Sequence, residues 1–227
     1  LIYRLQRATQ AVIPATMEMP VLWAGIETVR RRMKERGGET QPSQFVLFAY
    51  CVARTAPAHP AFLSALVGEN TLRRYAHLHL GIAVARPGDE LLMARIPDAD
   101  TLSFPEFVVA ARDAIRRARA GGDQASDAMQ LSLTSMAGNR VRWGIPVVVA
   151  PAVATLFVGT PYEEAYPLAG GGVEGVAAGA GVVGAGEHAD QPIDLRVLQR
   201  LQPGGLGTGD GVEAADQQRV RQGLSPA

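Results

Sequence analysis

Few residues in this chain have the types and spacing that chemistry needs. His77-Leu-His79 sets two imidazoles on one face of any strand that holds them, a geometry two metal ligands could share. No third ligand cluster lies nearby in the sequence, so the pair reads more simply as part of a strand surface. Cys51 is the only cysteine and stands in an apolar stretch with nothing beside it to lower its pKa; it reads as a buried, inert thiol. Arg30, Arg31, Arg32, Lys34 and Arg36 form a cationic run that could meet phosphate. Its plainer reading is a solvated last helical turn whose charges complement the helix dipole. No G-x-G-x-x-G sits between a strand and a helix, and no Walker-type lysine is present, so a phosphate-cradling loop is poorly supported. His188, within Glu187-His-Ala-Asp190, is the only imidazole in the C-terminal part of the chain.

The elements that must position these residues follow from periodicity. Val21, Leu22, Ile26, Val29 and Met33 recur at helical spacing and predict a helix over Val21–Arg36, stopped by Gly37-Gly38. Ser43 is placed to cap a second helix that runs to about Thr55. From Ala76 the period changes to two: Leu78, Leu80, Ile82 and Val84 share one strand face, and His77, His79 and Gly81 the other. Pro87-Gly-Asp89 predicts a turn back into a strand over Leu91–Ile96. Ser103-Phe-Pro-Glu106 is a capping box that opens a helix over Phe104–Arg119, ended by Gly121-Gly122. Leu131–Ser135, Pro146–Ala150 and Ala154–Val158 are short apolar runs of core-strand type.

Composition bounds the class. With 227 residues the chain is long enough for a proper core in one domain. Lys+Arg and Asp+Glu are 22 each, so no net field draws the whole chain to nucleic acid or an anionic membrane. One cysteine excludes an intramolecular disulfide framework and a multi-thiolate zinc site, which makes a reducing compartment the expectation. No apolar run is long enough for a helical membrane span. The chain starts at Leu1 with neither Met nor a signal-peptide pattern and reads as a fragment of a longer protein. One anomaly remains: eight of the eighteen residues from Ala169 to Gly186 are glycine, and Val176–Gly186 is a poor strand by composition.

Three stretches together resemble the catalytic domain of the 2-oxoacid dehydrogenase acyltransferases, the core subunits of pyruvate-type dehydrogenase complexes. Gly81-Ile-Ala-Val84, Leu91-Leu-Met93 and Ile96-Pro-Asp-Ala-Asp100 are similar to the family's G-I-A-V…G-L-L-V-P-V-I-x-D-A-D. Leu131-Ser-Leu-Thr-Ser-Met-Ala137 stands at the place of T-F-T-I-S-N-L-G, and Pro151-Ala-Val-Ala-Thr-Leu-Phe-Val-Gly159 is similar to P-P-Q-A-x-I-L-x-V-G. Order and spacing agree from Arg4 to Gly159.

The resemblance implies an α/β fold of the chloramphenicol-acetyltransferase type, a two-layer sandwich with a mixed sheet and flanking helices. It implies one catalytic domain over residues 1–227, with 169–211 an atypical glycine-rich region inside it. The implied activity is acyl transfer between dihydrolipoamide and coenzyme A, with the chain also scaffolding its complex. A catalytically silent relative that keeps the architecture is the alternative. The implied partners are further copies in a homotrimer or larger cage, a separate lipoyl domain and the other dehydrogenase subunits. Coenzyme A is then a substrate, the lipoyl group sits on another domain, and no metal, nucleic acid or membrane takes part. Lipoyl and subunit-binding modules would precede Leu1, in a bacterial cytoplasm or a mitochondrial matrix.

The same alignment places Thr134 where the family has its oxyanion-stabilising serine. The family's D-H-R-x-x-D-G signature has no complete counterpart: His188 falls 29 residues after Gly159, near the expected place, but lacks the Asp-Gly at the right spacing. Asp210-Gly-Val-Glu-Ala-Ala215 is similar to the D-G-x-E-A-A that opens the family's last helix, yet Leu206 occupies the histidine position before it. His188 is therefore the candidate base, Thr134 the candidate oxyanion donor and Asp210 the candidate structural carboxylate.

Overall fold

The computed structural model describes residues 16–19, 21–37, 41–67, 71–88, 90–126, 128–148, 152–167 and 173–179. His188 and Asp210 lie outside the described residues. The elements are β1 (Val21–Leu22), α1 (Ala24–Glu35), α2 (Gln44–Thr55), β2 (Ser64–Val67), β3 (Thr71–Arg74), β4 (Leu80–Arg86), β5 (Glu90–Ile96), α3 (Phe104–Arg119), β6 (Leu131–Ser135), β7 (Ala154–Val158), β8 (Tyr162–Pro167) and β9 (Val173–Gly179). Four of the strands form a mixed sheet in the order β5-β4-β6-β7, in which β4 pairs antiparallel with β5 and parallel with β6, and β6 runs parallel to β7. Two smaller antiparallel sheets join β2 to β3 and place β9 between β1 and β8.

The core lies between the four-stranded sheet and its helices. Leu80, Ile82 and Val84 of β4 are buried with Leu92, Ala94 and Ile96 of β5, Leu131 and Leu133 of β6, and Ala154, Leu156 and Val158 of β7. Alternation sends these residues to one face of the sheet. α3 meets them with Phe107, Ala111, Ala114 and Ala118, a stripe at helical spacing whose small residues let the helix axis approach the sheet. Residues Val46 to Ala53 of α2 are all buried, as expected of a helix apolar around its circumference. Tyr50 of α2 packs edge-on to Phe104 and Phe107, with ring centroids 5.2 and 5.3 Å away, and burial raises the pKa of its hydroxyl.

Several expectations are met residue for residue, among them α3, β6 and β7. Others are corrected. The first helix starts at Ala24 rather than Val21, because Val21 and Leu22 pair with Gly179 and Ala178 of β9 as a short strand. The strand sought from Ala76 starts at Leu80, because His77 and His79 are tied to the turn after β5. Pro146–Val148, expected in a strand, has no sheet partner among the described residues. Val173–Gly179 is a strand despite its glycines, since β8 offers a matching ladder of backbone groups on one side and β1 on the other.

Two connections fix the sheet in place. At the turn between β4 and β5, Gly88 has φ +82°, a conformation that L residues resist. After α3, the chain returns along the free edge of β5: Met93 N–H donates to Asp123 Oδ1 at 3.0 Å and Gln124 N–H to Met93 O at 2.8 Å. That cover blocks an edge otherwise open to pairing with another chain. The chain then lays Met129 over Gly81, where an added Cβ would stand 2.1 Å from the methionine sulfur. Only glycine admits that approach without a shift of the methionine.

Candidate active site

The face of the sheet turned away from the helices carries the polar groups. By strand parity it presents Gly81 and Ala83 of β4, Met93 and Arg95 of β5, Ser132 and Thr134 of β6, and Thr155 and Phe157 of β7. Ser132 and Thr155 are both buried, and their hydroxyls lie 2.6 Å apart across the parallel pair. One hydroxyl donates to the other, so each is satisfied without water. Thr134 sits one step further along the same face, opposite Phe157, which is 6 % exposed. Thr134 is half-buried, and its hydroxyl has no hydrogen-bond partner among the described residues. A hydroxyl so placed is free to donate to a group that approaches from outside.

The loop after β6 is anchored so that this end of the strand is held. Met136 N–H donates to Val158 O at 3.1 Å, and Thr160 N–H donates to Val141 O at 2.7 Å. Thr160 Oγ1 donates to Ala137 O at 3.0 Å, and Arg140 closes the turn with φ +58°. Beyond it the chain runs past Phe157, whose ring lies 3.4 Å from where a Cβ on Gly144 would be. Trp143, Ile145 and Val147 alternate with these inward positions and are 48–56 % exposed, an apolar ridge beside Thr134's strand.

The imidazoles of the described residues are occupied elsewhere. His79 takes the backbone N–H of Asp98 on Nδ1 at 3.1 Å, which requires that nitrogen to be unprotonated. His77 Nδ1 lies 3.3 Å from Asp100 Oδ2, while Asp100 Oδ1 accepts the N–H of Leu78 at 2.8 Å. Arg54 donates to the Asp100 carbonyl, so the Pro97–Asp100 turn is clamped from three sides, and Asp98 adopts φ +48° within it. His59 packs edge-on to Phe62. His79 is matched to Gln130, whose Oε1 accepts its N–H at 2.7 Å. Thr134 is four residues further along β6, about 13 Å away at the usual strand rise. None of these pairs brings an imidazole to Thr134. No group of three or more His, Cys, Asp or Glu is arranged to hold a metal ion among the described residues.

Of the three residues singled out in the sequence, Thr134 is the one the described structure locates, at the C-terminal end of β6. The Ser132–Thr155 pair beneath it was not anticipated. The signal was half present: Ser132 and Thr134 share parity in Leu-Ser-Leu-Thr-Ser, but the partner strand's register is needed to bring in Thr155.

Comparison with known proteins identifies the fold and the family. The sequence model of the 2-oxoacid dehydrogenases acyltransferase catalytic domain matches residues 1–176, a match that ends inside β9. No curated protein matches the chain. The fold is shared with the Azotobacter vinelandii dihydrolipoamide acetyltransferase, at TM-score 0.69 and 24% identity over 81% of this chain and 77% of that one. It is also shared with the cubic core of a pyruvate dehydrogenase multienzyme complex, at TM-score 0.74 and 21% identity over 87% and 88%. The probable dihydrolipoamide acetyltransferase of Listeria monocytogenes is similar as well, at TM-score 0.69 and 19% identity over 81% and 80%. The mixed sheet with helices on one face is the fold the sequence led us to expect. With the family's model covering most of its length, the chain belongs to the acyltransferase catalytic-domain family of the 2-oxoacid dehydrogenases.

Proposed function

We propose that this chain transfers an acyl group between a dihydrolipoyl arm and coenzyme A, and that copies of it form the core of a 2-oxoacid dehydrogenase complex. The observation that carries the reading is Thr134: a half-buried hydroxyl, without a partner among the described residues, in the motif whose resemblance assigns it the role of the family's serine. In the exchange, a neutral imidazole takes the proton of the attacking thiol as sulfur bonds to the thioester carbonyl carbon. The carbonyl oxygen becomes an oxyanion and accepts the Thr134 hydroxyl, an interaction of roughly 3–4 kcal/mol in such sites. The intermediate collapses by expelling the other sulfur, which recovers a proton from the imidazolium.

His188 is the imidazole we assign to this role. The Azotobacter vinelandii enzyme has been examined for the catalytic role of a serine and a histidine 52 positions apart, and Thr134 and His188 are 54 apart. That enzyme's asparagine follows its histidine by four positions, where this chain has Pro192. Asp210 is assigned a positioning role for the backbone near the site. A homotrimer or larger cage, served by a separate lipoyl domain and the other dehydrogenase subunits in a bacterial cytoplasm or mitochondrial matrix, completes the reading. Among the described residues no helix is long and apolar enough to cross a membrane.

The departure from the His-x-x-x-Asp-Gly signature favours a second reading, a silent scaffold with the same architecture. One assay separates them. The purified protein is given acetyl-, succinyl- and branched-chain acyl-CoA with dihydrolipoamide, and release of free coenzyme A is followed. Turnover that falls by orders of magnitude in His188→Ala supports the assignment. An unchanged rate in that variant removes His188 from the mechanism, and no turnover with any donor from an intact oligomer leaves the scaffold.

A further inference from the structure

The cationic run of α1 is not used by the reading above, and the structure gives it a shape. Glu27, Arg30, Arg31 and Lys34 occupy one face of α1 and, with Gln41 and Gln44 at the start of α2, line a depression of about 280 Å³. Three cations and two amides therefore converge on one concavity, against one carboxylate. Glu27 precedes Arg30 by three positions and Arg31 by four, the spacing at which helical ion pairs form. Among the described residues no such pair is made: the described Arg–carboxylate pairs are Arg86–Glu90 and Arg116–Asp113, neither of them on α1. Arg30 and Lys34 are themselves four apart, a like-charge spacing that weakens an isolated helix. Arg32 on the same helix and Arg36 at its C-cap do not line the depression.

Three cations that outnumber the single carboxylate beside them, next to amide donors, are the chemistry that recognises a compact dianion. The volume falls just below the roughly 300–1,000 Å³ of pockets that enclose a whole drug-sized ligand, and so suits a headgroup. We propose that this depression is an anion site for the terminal phosphate of a phosphomonoester. Arg30, Arg31 and Lys34 supply the charge, Gln41 and Gln44 the neutral donors, and Glu27 limits the site to a ligand carrying enough charge to outweigh it. The phosphate belongs either to coenzyme A or to a free phosphorylated metabolite.

The test is a titration of the full chain with inorganic phosphate at constant ionic strength, read by phosphorus NMR. Saturable binding is expected, weakened at least tenfold in the double variant Arg30→Gln with Lys34→Gln. The double variant Arg32→Gln with Arg36→Gln removes the same charge outside the depression and should bind as the parent does. Absence of saturable binding in the parent, or equal weakening by both double variants, overturns the site. Circular dichroism confirms that the variants remain folded. The source is read separately, with coenzyme A and its analogue lacking the 3′-phosphate as acyl acceptors. A KM raised by the lining variant for coenzyme A alone, at constant kcat, identifies coenzyme A; unchanged kinetics with lost phosphate binding identify the free metabolite. The titration needs no turnover, so its failure is distinct from failure of the acyl-transfer reading.

Discussion

The two faces of the four-stranded sheet are made by the same strands and serve opposite ends. Toward the helices, Leu80, Ile82, Leu131, Leu133 and Leu156 present a continuous apolar surface, each at most 4 % exposed. Away from them, Gly81, Ser132, Thr134 and Thr155 present small and hydroxylated residues at the alternate positions. One residue of offset along a strand thus separates a side chain that holds the fold from one that is free for chemistry. The first face tolerates no polar group without a partner, and the second spends its hydroxyls on each other until Thr134, where the pairing stops. A catalytic role for that face predicts that stability and activity can be altered separately by residues that are neighbours in sequence.

The largest effect is expected on the apolar face. Leu133→Ala removes a fully buried side chain and should lower unfolding stability by about 2–5 kcal/mol, measured by urea denaturation. A loss below about 1 kcal/mol would show that the face is not packed as described. Thr134→Val, one position on, keeps the shape and deletes the donor. It should reduce kcat by roughly 100- to 1,000-fold with little change in stability, while Thr134→Ser retains most of the rate. Equal rates in the Val and wild-type proteins would remove the hydroxyl from the mechanism.

Ser132→Ala discriminates within the polar face itself. It strands the buried Thr155 hydroxyl and should cost about 1–3 kcal/mol of stability, with kcat within a few-fold of the parent. A rate loss as large as that of Thr134→Val would mean that the two hydroxyls act as one unit. The smallest effect lies at the start of α3, far from this contrast. The Ser103 hydroxyl and backbone N–H both donate to Glu106 and hold its carboxyl below the ordinary carboxylate pKa. A depressed folded-state pKa contributes stability above the unfolded value, and that contribution fades as pH falls through the folded value. In Ser103→Ala, carbon-detected NMR titration should find the Glu106 pKa moved up toward its ordinary value, and the stability difference from the parent should close in acid.

Local chemistry made much of the fold legible. The Ser103–Glu106 box and the Gly121-Gly122 stop delimit α3 because both act within a turn of chain, and β6 and β7 are visible as apolar runs. The elements that were missed share another property. Each depends on backbone partners in another segment: Val21 and Leu22 pair with Gly179 and Ala178, more than 150 residues away, and the glycine-rich Val173–Gly179 is held between that short strand and its neighbour β8. Pro146–Val148 failed in the reverse sense: its apolar residues suit a strand, but no ladder is offered to it among the described residues. At the site, motif order reached Thr134. The clamp of Asp98 and Asp100 on the two histidines was not legible, because it joins the start of β4 to the turn after β5 through side chains the periodicity treats as interchangeable.

The amino-acid sequence alone determined the family, the alternation that divides each strand between its two faces, and the choice of Thr134 as the proposed oxyanion donor. Each is written in contiguous residues, in which period and order are preserved. Tertiary structure decided which hydroxyls are satisfied, which imidazoles are committed to a turn, and which cations of α1 share a depression with the start of α2. Those outcomes depend on the register between distant strands and on how α1 meets α2, and such distances are set by packing rather than by any local preference of the chain.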